Sequence, residues 1–188
     1  MNFHGTFGLD ISFDALDFCR SRHLTHLACG DCATIPFEND SFDVILALDL
    51  IEHLDDDLKA LQEFNRLLTK NGKLIIFSPA FNFLWGLQDQ VSHHRRRYRS
   101  FELREKLKKV GLEISKMTYV NFFLFPMVFS GRMLFRIFPY PSNMINEADL
   151  SPQWSNTLLK KIFASEKLLI RKINLPIGAS ILCVARKV

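Results

Sequence analysis

The sequence lacks an uncharged run long enough to cross a membrane. Its longest one covers residues 117–131, is 15 residues long and contains Pro126, whereas a spanning helix needs about 20 apolar residues. The first residues, MNFHG, are neither basic nor apolar, unlike a secretory signal. We therefore expect a cytoplasmic protein, with peripheral contact as the only open route to a membrane.

Cysteine is also scarce. The four are Cys19, Cys29, Cys32 and Cys183, and the Cys29–Cys32 pair has the CxxC spacing of zinc and redox sites. No second pair exists to complete a four-thiolate site. We expect free thiols, as in a reducing compartment, and no metal.

Neither basic nor acidic residues are in large excess. With 24 basic and 20 acidic residues, the balance gives no reason to expect a nucleic-acid partner. A length of 188 residues and a hydrophobic content of 48% predict a single domain, residues 1–188, with one buried core.

The remaining pattern alternates strands and helices. Residues 42–48, FDVILAL, form a short apolar run between polar loops, as in a strand buried on both faces of a parallel sheet. The pattern predicts further strands over 6–12, 23–29, 73–79, 112–120 and 179–187, and helices over 13–22, from 55 to a stop at 71–72, 100–110 and 151–171. This order is typical of a doubly wound α/β sheet.

Acidic residues follow several of these strands. Asp10, Asp31 and Asp49 each stand at or just after a predicted strand end. Because ligands of open parallel sheets bind beyond the carboxyl ends of the strands, these acids predict one small-molecule site.

Four segments together resemble class I S-adenosylmethionine-dependent methyltransferases, in particular the broad group that includes ubiquinone and menaquinone biosynthesis enzymes. They are GLDIS (8–12), GDCATIPF (30–37), the block 42–54 and LLTKNGKL (67–74). The resemblance implies a Rossmann-like sheet, mostly parallel with an antiparallel last strand. It implies a cofactor-side half, residues 6–79, and an acceptor-side half, residues 80–188.

The resemblance also implies which residues bind S-adenosyl-L-methionine. Asp10, with Ile11 beside it, matches the acid that binds the ribose hydroxyls, a charge-assisted contact. Asp31 and Cys32 match the positions on adenine, and Ala47, Leu48 and Asp49 match the strand end along the methionine part.

One part of the family pattern is missing. The first strand and its GxGxG loop should precede Asp10 by about twenty residues, but only nine residues come before it, with Gly5 and Gly8 as their glycines. In the family's sheet that strand lies between those of residues 6–11 and 42–48. We therefore expect a truncated methyltransferase that is weakly active alone, or a non-catalytic remnant that serves as a binding or dimerisation module.

Two further segments concern the acceptor. His53 is the candidate catalytic base, with a capping or packing histidine as the alternative. In the run HHRRRYR, residues 93–99, His94, Arg96, Arg97 and Tyr98 are candidates for binding an anionic acceptor, with a solvated loop as the alternative.

The segment 122–138 holds six of the 18 Phe, with Arg132 and Arg136 on one helical face. It predicts either a lid or membrane-surface helix for a lipid-like acceptor, or a core or homodimer helix. The predicted function is methyl transfer to a small, lipid-like or anionic acceptor.

Overall fold

The computed structural model describes residues 5–138 and 153–188. The helices are α1 (Phe13–Ser21), α2 (Asp57–Leu67), α3 (Leu87–Val91), α4 (Ser100–Lys109), α5 (Phe125–Ile137) and α6 (Gln153–Lys172). The strands are β1 (Gly8–Asp10), β2 (Leu27–Cys29), β3 (Phe42–Leu48), β4 (Leu68–Pro79), β5 (Leu112–Val120) and β6 (Ser180–Lys187). Residues 151–152 of the predicted last helix lie outside the described residues.

The strands form a four-stranded sheet in the order β3-β4-β6-β5 and a separate parallel pair, β1-β2. Strands β3 and β4 are parallel, whereas β6 runs antiparallel to both β4 and β5. The predicted α/β architecture with an antiparallel last strand is confirmed.

A groove separates the two sheets. It has a volume of about 590 Å³ and is lined by β1, β3 and the residues after β2, including Leu9, Cys32 and Leu46. On this side of β3, Leu46 and Leu48 are 59% and 53% exposed. The prediction that β3 is buried on both faces is therefore wrong. Ala47, on the opposite face from Leu46 and Leu48, is fully buried, whereas the face that carries the two leucines is open.

Helix α2 is amphipathic and covers the sheet. Its Ala60, Leu61 and Phe64 are buried, as the apolar spacing predicts. Asp56 caps its first turn by accepting a hydrogen bond from Lys59 N at 3.0 Å. The helix ends at Leu67 instead of the predicted 71–72, because Leu68 already pairs with Phe42 in β4.

Helix α5 packs through aromatic rings. Phe125 and Phe129 contact the ring of Phe83, and Arg132 is buried on the same side. Side chains on the other side of the helix, Met127, Leu134 and Ile137, are exposed. Among the described helices, none is long and apolar enough to cross a membrane.

Candidate functional site at the ends of the strands

The ends of β1 and β2 bring three predicted cofactor residues together. The carboxylate of Asp10 accepts a hydrogen bond from Ser12 N at 2.9 Å, and that of Asp31 accepts one from Ala33 N at 2.8 Å. Burial raises the pKa of the Cys32 thiol, and the nearby charges of Asp31 and Asp10 raise it further. Both carboxylates therefore lie near Cys32. Ile11, next to Asp10, is exposed.

The end of β3 carries the second predicted group. Ala47 is buried in the core and Leu48 faces outward. Asp49 follows with a positive φ of 47°, and its backbone N–H donates to Phe77 O at 2.8 Å. Burial raises the pKa of Asp49, while the charges of His94 and His53 lower it. Asp49 thus lies at the strand end close to two histidines.

Those histidines form a cluster with Glu52, which was not predicted as a site residue from the sequence. Glu52 and His53 lie on the single 3-10 turn Ile51–His53 that follows β3, and His94 follows α3. The rings of His53 and His94 meet edge to face with centroids 4.7 Å apart. Burial lowers the pKa of His53, and the neighbouring His94 lowers it further. His53 is therefore mainly neutral at neutral pH.

Asp89 organises the segment that contains His94. Its fully buried carboxylate receives Arg97 Nε at 2.7 Å and Nη2 at 2.9 Å, Gly86 N at 2.8 Å and His94 Nδ1 at 2.8 Å. Burial raises the pKa of Asp89, but the hydrogen bonds and charge of Arg97 lower it by more. The Arg97 side chain also donates to Ala80 O at 3.1 Å.

Asp57 organises the neighbouring side chains. The Tyr98 hydroxyl donates to the carboxylate of Asp57 and lies 3.1 Å from Ile51 O. Lys106 Nζ lies 2.6 Å from Asp57, and Arg96 lies 3.3 Å from it. Arg96 also donates to the backbone oxygens of Leu54 and Asp55.

These contacts divide the HHRRRYR run. Arg97 and Tyr98 are buried and bound to carboxylates, so the alternative of a solvated loop is wrong for these two residues and agrees only with the exposed His93, Arg95 and Arg99. That the run binds an acceptor stays a prediction. The run anchors the segment after α3 to the sheet. One of its two histidines, His94, joins the residues at the end of β3, and the Arg95 backbone N–H donates to Glu52 O at 2.7 Å.

Comparison with known proteins agrees with the strand-end geometry. Residues 2–76 match the family described as methyltransferase domain. The chain is 31% identical over 94 residues to a tRNA (carboxymethyluridine(34)-5-O)-methyltransferase, alkbh8, of Xenopus tropicalis, covering 48% of this chain and 14% of that protein. It is 35% identical over 72 residues to a demethylmenaquinone methyltransferase of Staphylococcus haemolyticus, covering 36% of this chain and 30% of the relative. The chain thus aligns with less than a third of each of these relatives.

Solved structures share the fold at low identity. A SAM-dependent methyltransferase of Thermotoga maritima superposes with a TM-score of 0.60 at 17% identity, covering 96% of this chain and 72% of that one. The phosphoethanolamine N-methyltransferase 2 of Haemonchus contortus, solved in complex with S-adenosyl-L-methionine, superposes with a TM-score of 0.56 at 20% identity, covering 96% and 43%. Residues 2–76 therefore match the methyltransferase domain family, and the described chain shares its fold with solved S-adenosylmethionine-dependent methyltransferases.

Proposed function

We propose that this chain binds S-adenosyl-L-methionine at the ends of β1, β2 and β3 and transfers its methyl group to a small acceptor. The observation that carries the proposal is the meeting of Asp10, Asp31 and Cys32 at one end of the β1-β2 pair. Two strand-end carboxylates side by side suit a ligand with several hydroxyl and amino donors, such as a nucleoside.

Each predicted cofactor residue has a place in this proposal. Asp10, beside Ile11, binds the ribose hydroxyls, and Asp31 with the backbone of Cys32 holds the adenine. Residues Ala47, Leu48 and Asp49 lie along the methionine part, at the end of β3. Methyl transfer is an in-line displacement, so most of the rate enhancement comes from holding donor and acceptor in position.

The acceptor side of the proposed site is the cluster after β3. His53 is half-buried with a lowered pKa, so its neutral imidazole can accept a proton from a hydroxyl acceptor. The half of the chain that begins at residue 80 carries apolar rings: Phe81 stacks on Tyr119 and Phe83, and Phe125 of α5 packs against Phe83. This surface suits a small amphipathic acceptor, such as a prenylated ring or a lipid-linked metabolite. The four free cysteines suit the reducing cytoplasm that we assign.

Calorimetric titration with S-adenosylhomocysteine, the product of the donor, tests the cofactor assignment. We expect saturable binding that Asp10→Ala weakens by about tenfold or more, the equivalent of a lost charge-assisted hydrogen bond. Asp14→Ala is the matched control, because Asp14 is an exposed acid in the first turn of α1, and it should leave binding unchanged. Binding of NAD instead of S-adenosylhomocysteine would assign the site to a nicotinamide-dependent enzyme and contradict the proposal.

A second function rests on the open groove between β1 and β3 and on the exposed face of α5. Apolar surface of this kind commonly marks a contact with another molecule, so the chain could act as a binding or dimerisation module, or contact a membrane peripherally through 122–138. A chain that binds no S-adenosylhomocysteine but sediments as a dimer would favour this second function. Phe125 and Phe129 pack against Phe83, so variants that test the dimer belong at Met127 and Leu134.

A further inference from the structure

The cluster after β3 has the composition of a metal site. One potential ligand atom each from Glu52, His53 and His94 lies within 4.8 Å of the other two. Two imidazoles and one carboxylate are the protein ligands of many catalytic zinc ions. The sequence does not reveal this set, since His94 lies 41 residues after His53, and the prediction of no metal rested on the cysteine pattern.

Glu52 supplies an observation that is independent of the histidines. Its side chain is fully buried, and Oε2 accepts a hydrogen bond from Ser78 Oγ at 2.9 Å. The other oxygen, Oε1, has no hydrogen-bond partner among the described residues. An unpaired buried carboxylate oxygen is costly, and a bound cation at this oxygen would remove that cost.

His94 is already oriented by a second contact. Its Nδ1 lies 2.8 Å from Asp89 Oδ1, which leaves Nε2 as the nitrogen that can bind a cation. Histidines that bind metals usually donate their other ring N–H to a carboxylate or a backbone carbonyl, which fixes both tautomer and ring direction. Asp89, bound by Arg97, holds this supporting position for His94.

We propose that Glu52, His53 and His94 bind one divalent transition-metal ion, with Zn²⁺ the best match to two imidazoles and a carboxylate. Zinc–ligand bonds of about 2.1 Å place two tetrahedral ligand atoms about 3.4 Å apart, which ligand atoms that all lie within 4.8 Å of one another can reach by small side-chain movements. The fourth position remains for water or an acceptor oxygen. Asp49 is the nearest further acid.

The role of the ion rests on the proposed function. A hydroxyl of the acceptor binds the open position and loses its proton to solvent, because the ion lowers the pKa of a bound hydroxyl. The resulting oxygen forms a bond to the donor methyl carbon as the S–CH₃ bond breaks, which converts the sulfonium to the neutral thioether of S-adenosylhomocysteine. In this role His53 is a ligand, so the ion replaces it as the means of activating the hydroxyl.

Metal titrations of the full chain test binding without any assay of activity. After treatment with a chelator, Co²⁺ should produce visible absorption bands of a low-symmetry site, and Zn²⁺ should abolish them with a stoichiometry of one per chain. His53→Ala and His94→Ala should each weaken Zn²⁺ binding by about a hundredfold or more, because even supporting groups are worth about 10- to 100-fold. The matched control is His93→Ala, since His93 is the exposed neighbour of His94, and it should bind Zn²⁺ like the parent chain.

Glu52→Gln keeps the shape and the contact with Ser78 but removes the charge, and it should also weaken binding. If Glu52→Gln does not fold, the Zn²⁺ affinity of His53→Ala decides the result alone, because His53 is half-exposed and its replacement should leave the fold intact. Equal Zn²⁺ affinity in the parent and His53→Ala, or an equal loss in His93→Ala, would overturn the site. If the chain binds Zn²⁺ but not S-adenosylhomocysteine, the proposed function is contradicted and the metal site stands. If it binds S-adenosylhomocysteine but not Zn²⁺, only the metal site is rejected.

Discussion

The buried ion pair between Arg97 and Asp89 gives the sharpest test of how the HHRRRYR run works. Arg97 makes two hydrogen bonds to Asp89, at 2.7 and 2.9 Å, and one to Ala80 O at 3.1 Å. Arg97→Ala removes all three and leaves the Asp89 carboxylate buried. Breaking a buried pair by removing one partner costs about 3–5 kcal/mol. We expect the lower end, about 3 kcal/mol, because Asp89 keeps its contacts with His94 and Gly86 and can take up a proton.

Urea unfolding followed by circular dichroism measures this loss. With a urea dependence of about 2 kcal/mol per molar, a loss of about 3 kcal/mol lowers the unfolding midpoint by about 1.5 M. Arg95→Ala is the control within the same run, because Arg95 pairs with Asp55 at 3.1 Å and both side chains are mostly exposed. Such a pair contributes about 0–1 kcal/mol. If both variants unfold at the same urea concentration and only Arg97→Ala loses acceptor binding, Arg97 is an acceptor ligand and the reasoning fails.

Two further predictions concern stability. Burial raises the pKa of Asp57, but hydrogen bonds from Lys106 and Tyr98, together with the charges of Lys106 and Arg96, bring it below its usual value. The carboxylate therefore contributes stability that is fully present above its unfolded pKa of about 3.9 and is lost as the pH falls through its lower native pKa. As the pH is lowered from 7 to 2, the urea concentration at the unfolding midpoint should fall less steeply for Asp57→Asn than for the parent chain. Equal pH dependence in the two chains would contradict the lowered pKa of Asp57. Gly178→Ala should cost at least about 1–3 kcal/mol, because its Cβ would lie 2.1 Å from Val120 O. Gly131→Ala in α5, with nothing within 4 Å of the new Cβ, should instead raise the melting temperature.

Periodicity and strand ends predicted most of the fold. The bounds of β3 and β5 follow from the sequence, since each is an apolar or alternating run between polar turns. The predicted strand over 23–29 shortens to Leu27–Cys29, because β2 pairs only with the three-residue β1. A sequence pattern gives the preference of a segment, whereas the length of a strand depends on the partner that it finds.

The site divides in the same way. Asp10, Asp31 and Asp49 follow strands directly, so the sequence predicts their position at one edge. Glu52 remains hidden because its partner Ser78 lies 26 residues later. Asp89 remains hidden because it meets Arg97, eight residues later, across a turn of no fixed period. The one sequence signal for Asp89 was the density of arginine in residues 93–99, since an arginine that becomes buried needs a carboxylate partner.

The partners of Asp89 connect the stability of the fold to the chemistry of the site. One carboxylate oxygen, Oδ1, receives both Arg97 Nε and His94 Nδ1, so the charge that keeps Arg97 buried also fixes the tautomer of His94. Because Asp89 stays ionised through Arg97, it can hold the His94 ring in place whether or not a cation is bound. The arginine-rich run therefore orients the His94 ring indirectly, through the Asp89 carboxylate that Arg97 and His94 share.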